Sequence, residues 1–372
     1  MPFSARQGFF KTVASDPGPA YPNWPTQANV SQFNTEVALY SGAAGSIVNG
    51  PSSSGSSAYR GAVRAPNGNI YFIGRNNSNI LEYDPSTNQS TTISVSGMGS
   101  NNYTGGCLGR NGNIYCAPFS ETDVLEFNPV ARTSRKISAS ATSSNSFNGA
   151  VMDTTGNVIC IPQNQSNFIH IDCSVEPAVV STPTYGASFS TAGIISGTTH
   201  PNGNIYCAPL QDDGFLEVDP AAGTSSRYST GKGTGQLLCQ GALTGADGNI
   251  YGISYNSSTI LRLNPTTKAV DEPFSHGQGT NAFIGGTAAP NGNLYLAPFD
   301  ANNVFEIDPL AGTTNTIAIS PSEDEFVGAT SDTANVYLCP NNSSHVKIFP
   351  TNASGGSNAN AYTLSAYVNS GH

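Results

Sequence analysis

Charge is what this chain has least of. Charged residues fill 10% of its 372 positions, against about 25% in an ordinary globular domain, so serine, threonine, asparagine and glycine must cover most of the surface. The 14 basic residues are outnumbered by 24 acidic ones, for a net charge of -10. Nucleic acid is thereby disfavoured as a partner, because neutralising phosphates takes clustered lysine and arginine. No run of 18 apolar residues occurs, which leaves no helix to span a membrane. There is no Gly-x-Ser-x-Gly elbow, no phosphate loop and no Cys-x-x-Cys. Motif-borne nucleophilic, phosphoryl and zinc chemistry are absent with them. None of the five histidines stands at metal-pair spacing from another. No cofactor and no metal site is expected. Helical spacing of apolar residues over three turns is also missing, so helical repeats are excluded. The opening MPFSARQGFFKTVAS lacks the apolar stretch of a secretory signal; the expectation is a leader already removed or release by another route such as lysis.

What the chain has in abundance is one phrase repeated seven times. It reads GAVRAPNGNIYFIG with ILEYDP from Gly61 and GGCLGRNGNIYCAP with VLEFNP from Gly105, and its last copy is GATSDTANVYLCP with VKIFP. The turn glycines stand at Gly68, Gly112, Gly156, Gly203, Gly248 and Gly292, with Ala334 in the seventh slot. A fixed period of this length marks a repeat architecture. Asn-Gly flanked by apolar residues signals a hairpin, read here as a type I′ turn. Asp-Pro or Asn-Pro then ends the third strand with a second reversal. Four short antiparallel strands per unit, repeated radially, predict an all-β, seven-bladed β-propeller. The blades occupy residues 58–368, with repeats starting near 61, 105, 149, 196, 241, 285 and 328. An extended arm spans residues 1–57 and a tail spans 369–372. Two strands compete to close the ring, Ala361–Val368 and a spare one near residues 36–40, and the second is preferred.

The alignment places Cys116, Cys160 and Cys207 in one slot of the second strand, blades apart and beyond disulfide reach. They read as buried small hydrophobes. Cys107, Cys173, Cys239 and Cys339 stay open to pairing. The variable segments entering each blade carry Tyr59, Tyr103, Phe147, Phe189, Phe283 and Phe326, and one of them also holds His276. Two readings stay open: aromatics packed between blades, or a ligand-binding rim that stacks on sugars or peptide side chains. His200, just before an Asn-Gly turn, is the other histidine of interest. Glu82, Glu126, Glu217 and Glu306 share one third-strand position, occupied by His170, Arg262 and Lys347 in the other blades. That interruption argues against a cation-binding ring and for solvent-facing charge that blunts edge pairing.

From Gly61 to Phe349 the repeat resembles the blades of streptogramin lyase and YncE-like propellers, relatives of NHL repeats. The resemblance implies the propeller fold within a group that holds lyases, cyclases and noncatalytic binding proteins. Its lyases use a histidine and acidic residues around magnesium at the channel mouth, and no His-Glu pair here matches that pattern. The opening Pro2-Phe3-Ser4-Ala5-Arg6-Gln7-Gly8-Phe9-Phe10 is similar to the N-termini of some tailed-phage structural proteins. The expectation is a noncatalytic structural or adhesive module of an extracellular assembly, a virion appendage or decoration protein. Its arm would dock on other subunits through Phe3, Phe9, Phe10, Tyr21, Trp24 and Phe33, and its rim would meet a cell-surface glycan or receptor. The alternatives are a lyase-like enzyme with a divalent cation at the channel mouth and a glycan-binding propeller.

Overall fold

A computed structural model describes residues 48–52, 58–139, 141, 145–188, 192–319, 325–332 and 334–351. It forms seven four-stranded antiparallel sheets arranged as the blades of a propeller. Blade 1 runs through Tyr59–Arg64, Ile70–Gly74, Asn79–Asp84 and Gln89–Ser94. Blades 2 to 6 repeat that order with first strands at Tyr103–Leu108, Phe147–Met152, Ile194–Thr199, Cys239–Thr244 and Phe283–Ala288. Each first strand packs against the first strands of its two neighbours, so these seven strands face the ring axis. Burial grades outward. Second strands such as IYFIG and IYCAP are buried along their whole length, whereas fourth strands such as QSTTIS are nearly all exposed. A strand covered on both faces needs a continuous apolar run, and only the outermost one can be polar.

The seventh blade draws on both ends of the chain. Phe326–Ser331, Asn335–Pro340 and His345–Pro350 supply three strands, and Val48–Ser52 pairs antiparallel on the outside of the last. The strands expected near 36–40 and at Ala361–Val368 lie outside the described residues. The ring is thus sealed by hydrogen bonds between segments almost 300 residues apart in the chain, which cover the outer edge of His345–Pro350.

The Asn-Gly hairpins differ from the expected type I′ turn. Gly68 donates to the Ala65 carbonyl at 2.9 Å and Ala65 donates to the Asn69 carbonyl at 3.0 Å; among the turn residues Gly68 has positive φ, at 87°, while Asn67 does not. This is a type I turn followed by a left-handed glycine, the three-residue hairpin with a bulge. Pro66 suits the first central position of that type I turn, whose φ near -65° its ring already holds, and the blades with Arg110, Thr154 and Ala246 in the same slot form the same glycine-to-carbonyl bond. A second bulge kinks every first strand, at Gly61, Gly105, Gly149, Gly241, Gly285 and Gly328, all of positive φ. Blade 4 puts Ser196 there, at φ 42°.

Candidate functional site at the channel mouth

The third-strand carboxylates are not on the surface. Glu82, Glu126, Glu217 and Glu306 are 3–7% exposed, which corrects the expectation of solvent-facing charge. In each of these blades the repeated tyrosine donates its hydroxyl to the carboxylate: Tyr71 to Glu82 at 2.7 Å, Tyr115 to Glu126 at 2.9 Å, Tyr206 to Glu217 at 2.6 Å and Tyr295 to Glu306 at 2.8 Å. The asparagine after the turn glycine donates to the same oxygen, as Asn204 does to Glu217 at 2.7 Å. The asparagine before that glycine donates to the tyrosine hydroxyl, as Asn202 does to Tyr206 at 3.0 Å. The repeated Asn-Gly-Asn-x-Tyr is therefore one half of a buried hydrogen-bonded unit, and the glutamate is the other.

Two of these glutamates are also paired with a cation from the following blade. Arg132 reaches Glu82 at 2.7 Å and Lys268 reaches Glu217 at 2.8 Å. Both cations sit in left-handed backbone, at φ 55° and 64°, a conformation that disfavours residues with a side chain. Burial alone would raise the Glu217 pKa. Bonds from Lys268, Tyr206, Tyr228 and Asn204 outweigh burial and hold it at about 2. The Arg132–Glu82 and Lys268–Glu217 pairs tie blade to blade, which is a structural use of charge.

The aromatic candidates turn inward as well. Tyr59, Tyr103, Phe147, Phe283 and Phe326 are at most 3% exposed, and each lies in a hydrophobic cluster shared with the preceding blade. For these five residues that burial supports the inter-blade packing reading. Phe189 and the arm residues Phe3, Phe9, Phe10, Tyr21, Trp24 and Phe33 lie outside the described residues. His276 is 6% exposed and donates from Nε2 to the Ser257 carbonyl at 2.8 Å, while its Nδ1 accepts from Gln278 N–H. Its ring meets Phe283 and Phe305 edge-on. His200 repeats the pattern one blade earlier, with Nε2 on the Gly248 carbonyl at 3.1 Å and Nδ1 on Asn202 N–H. Burial lowers both pKa values. A proton added at Nδ1 would face an N–H donor, so both rings are held as neutral structural groups.

A different set of residues collects at one mouth of the channel, on the face where second strands end. The second position of the first strands holds Arg60, Thr104, Asn148, Ile195, Gln240, Ile284 and Val327. Just past the second strand stand Arg75, Phe119, Gln163, Leu210, Tyr255, Phe299 and Asn341. Arg60, in blade 1, and Tyr255, in blade 5, lie close enough to influence one another's charge. Side chains three blades apart on a seven-blade ring meet only across the axis, so both project into the mouth. Arg60 is 8% exposed and its Nε has no hydrogen-bond partner. Burial, with the like charge of Arg75 adding to it, pulls its pKa down to about 9. Arg75 donates from Nε to Asn101 Oδ1 at 2.9 Å and lies over the Phe119 ring. Asn148 and Asn341 each keep a buried amide oxygen without a partner. Sequence reasoning missed this cluster. Its signal was departure from the repeat, an arginine in a slot that is otherwise neutral.

Among the described residues no three His, Cys, Asp or Glu side chains come together in a way that suits a metal ion. All seven cysteines are buried free thiols. No helix among those residues is long and apolar enough to cross a membrane.

A family model described as a repeat of unknown function, DUF6923, matches residues 163–334. No curated protein matches the chain in sequence. Among solved structures it is similar to a catalytically inactive virginiamycin B lyase from Staphylococcus aureus crystallised with quinupristin, with a TM-score of 0.70 and 10% identity over 82% of this chain and 99% of that one. A streptogramin B lyase superposes with a TM-score of 0.69 at 13% identity, over 82% of this chain and 97% of the other. The extracellular domain of a one-component system from B. thetaiotaomicron gives 0.61 at 14% identity, over 81% of this chain and 41% of that one. At such identities the likeness establishes the architecture, a seven-bladed β-propeller, and leaves the chemistry to this chain's own residues.

Proposed function

We propose that this chain is a noncatalytic binding propeller, a structural or adhesive module of an extracellular assembly such as a virion appendage. One observation carries the reading: the residues that could perform chemistry are engaged in holding the ring together. The four repeated glutamates are bound by tyrosine and asparagine, and His200 and His276 are held neutral between backbone groups. The solved relatives that are extracellular domains support placement outside the cell. Docking is assigned to the first 47 residues, whose sparse aromatics, Phe3, Phe9, Phe10, Tyr21, Trp24 and Phe33, suit ordering on a partner.

Val48–Ser52 closes the seventh blade, so the test removes only the residues before it. The shortened chain is expected to keep its fold and lose incorporation into its native assembly. Full incorporation without those residues would remove the docking role. The competing lyase reading rests on the likeness to virginiamycin B lyase over nearly all of that chain. Incubation with quinupristin and magnesium, followed by chromatography, is expected to return the antibiotic unchanged, and turnover would overturn the noncatalytic reading.

A further inference from the structure

A buried guanidinium without a counter-ion is an unstable arrangement, because desolvating the charge costs several kcal/mol unless something replaces the lost water. Arg60 is in that position. It is 8% exposed, its Nε lacks a partner, and among the described residues no carboxylate pairs with it. The groups that act on it are Arg75, Tyr255 and Cys339, none of them an anion when Tyr255 and Cys339 are protonated. Arg75 adds a second positive charge beside it. The Asn101 side chain and the Phe119 ring fix the plane of that second guanidinium. Several other cations of the chain stand against carboxylates, as in Arg132–Glu82, Lys268–Glu217 and Arg262–Asp271. In a chain of net charge -10, two neighbouring arginines with no carboxylate paired to either among the described residues stand out, even though Asp300 and Glu325 act on Tyr255 nearby.

We propose that Arg60 and Arg75 form an oxyanion-binding site at the channel mouth, taking a carboxylate, sulfate or phosphate group of a ligand. A guanidinium fork matches the oxygens of such a group, which supplies the counter-charge that Arg60 lacks. The Tyr255 hydroxyl, reaching the mouth from the opposite wall, bounds the site across the axis. The inference is independent of how the first 47 residues dock and of whether the chain catalyses a reaction.

The test is calorimetric titration of the full chain with sodium phosphate, sodium sulfate and sodium glucuronate at constant ionic strength, with glucose as the neutral control. Saturable binding of at least one anion and none of glucose is expected, and the preferred anion identifies the source chemistry. Arg75→Gln, at a half-buried position, should weaken that binding about tenfold or more while leaving the fold intact, and Arg75→Lys should retain part of it. Arg60→Gln should abolish it. Should Arg60→Gln fail to fold, the Arg75 pair carries the result. Absence of binding for all three anions, or binding equal in wild type and Arg75→Gln, overturns the proposal.

Discussion

Replacing Glu217 by glutamine tests whether the repeated carboxylates hold the blades together. In the folded chain Glu217 has a pKa of about 2, against a reference value of 4.5. At 1.36 kcal/mol for each unit, that gap is worth roughly 3 kcal/mol. The Lys268 side chain is 37% exposed, and solvent screening of that pair reduces the figure to about 2 kcal/mol. A carboxylate whose pKa is depressed by folding stabilises fully above its unfolded value. Its contribution is lost as the pH falls from about 4.5 through about 2. Glu217→Gln keeps the shape and one acceptor for Tyr206 but loses the charge. At pH 7 its melting temperature should lie about 4 °C below wild type, taking roughly 2 °C for each kcal/mol in a domain of this size. Scanning calorimetry across the acid range should show the difference shrinking as the pH approaches about 2. A difference that is absent at pH 7, or constant across the range, would show that Glu217 is not a structural anion.

Other parts of the account can be tested as directly. Gly74→Ala would drive a Cβ into the Asn79 carbonyl oxygen and crowd Asn77; urea unfolding should show a loss of about 2 kcal/mol. His200 and His276 have pKa values lowered by folding, so their contribution is present above the unfolded value of about 6.5 and lost as the pH falls below it. His276→Gln should therefore flatten the decline in melting temperature between pH 7 and mild acid; an unchanged slope would contradict the buried neutral ring. The seven cysteines are buried free thiols, Cys116 and Cys207 with pKa values pushed up to about 12 by burial. A thiol reagent should find none of them in the native protein and all seven after unfolding without reductant, and a lower count would reveal disulfides.

The fold was legible because Asn-Gly turns, Asp-Pro ends and two apolar strands recur at a near-constant step, and each is a local signal. Ring closure was not legible, since Val48–Ser52 carries no alternating pattern and its partner His345–Pro350 is remote in sequence. The burial of Glu82 and Glu217 was misread for the same reason. A charge on a strand reads as surface until its partners are known, and Arg132 and Lys268 arrive from the next blade. The turn type was readable in part, because a proline such as Pro66 suits the first central position of a type I turn. Arg60 and Arg75 were hidden in plain view. They interrupt slots that vary around the ring, and only closure brings Arg60 toward Tyr255.

Electron cryo-microscopy of particles or filaments from the native source tests the proposed docking role most directly. The account predicts density for the first 47 residues against a neighbouring subunit, with the Arg60 mouth facing outward. A free monomer with a divalent cation seated in the channel mouth would contradict it and hand the fold to an enzyme.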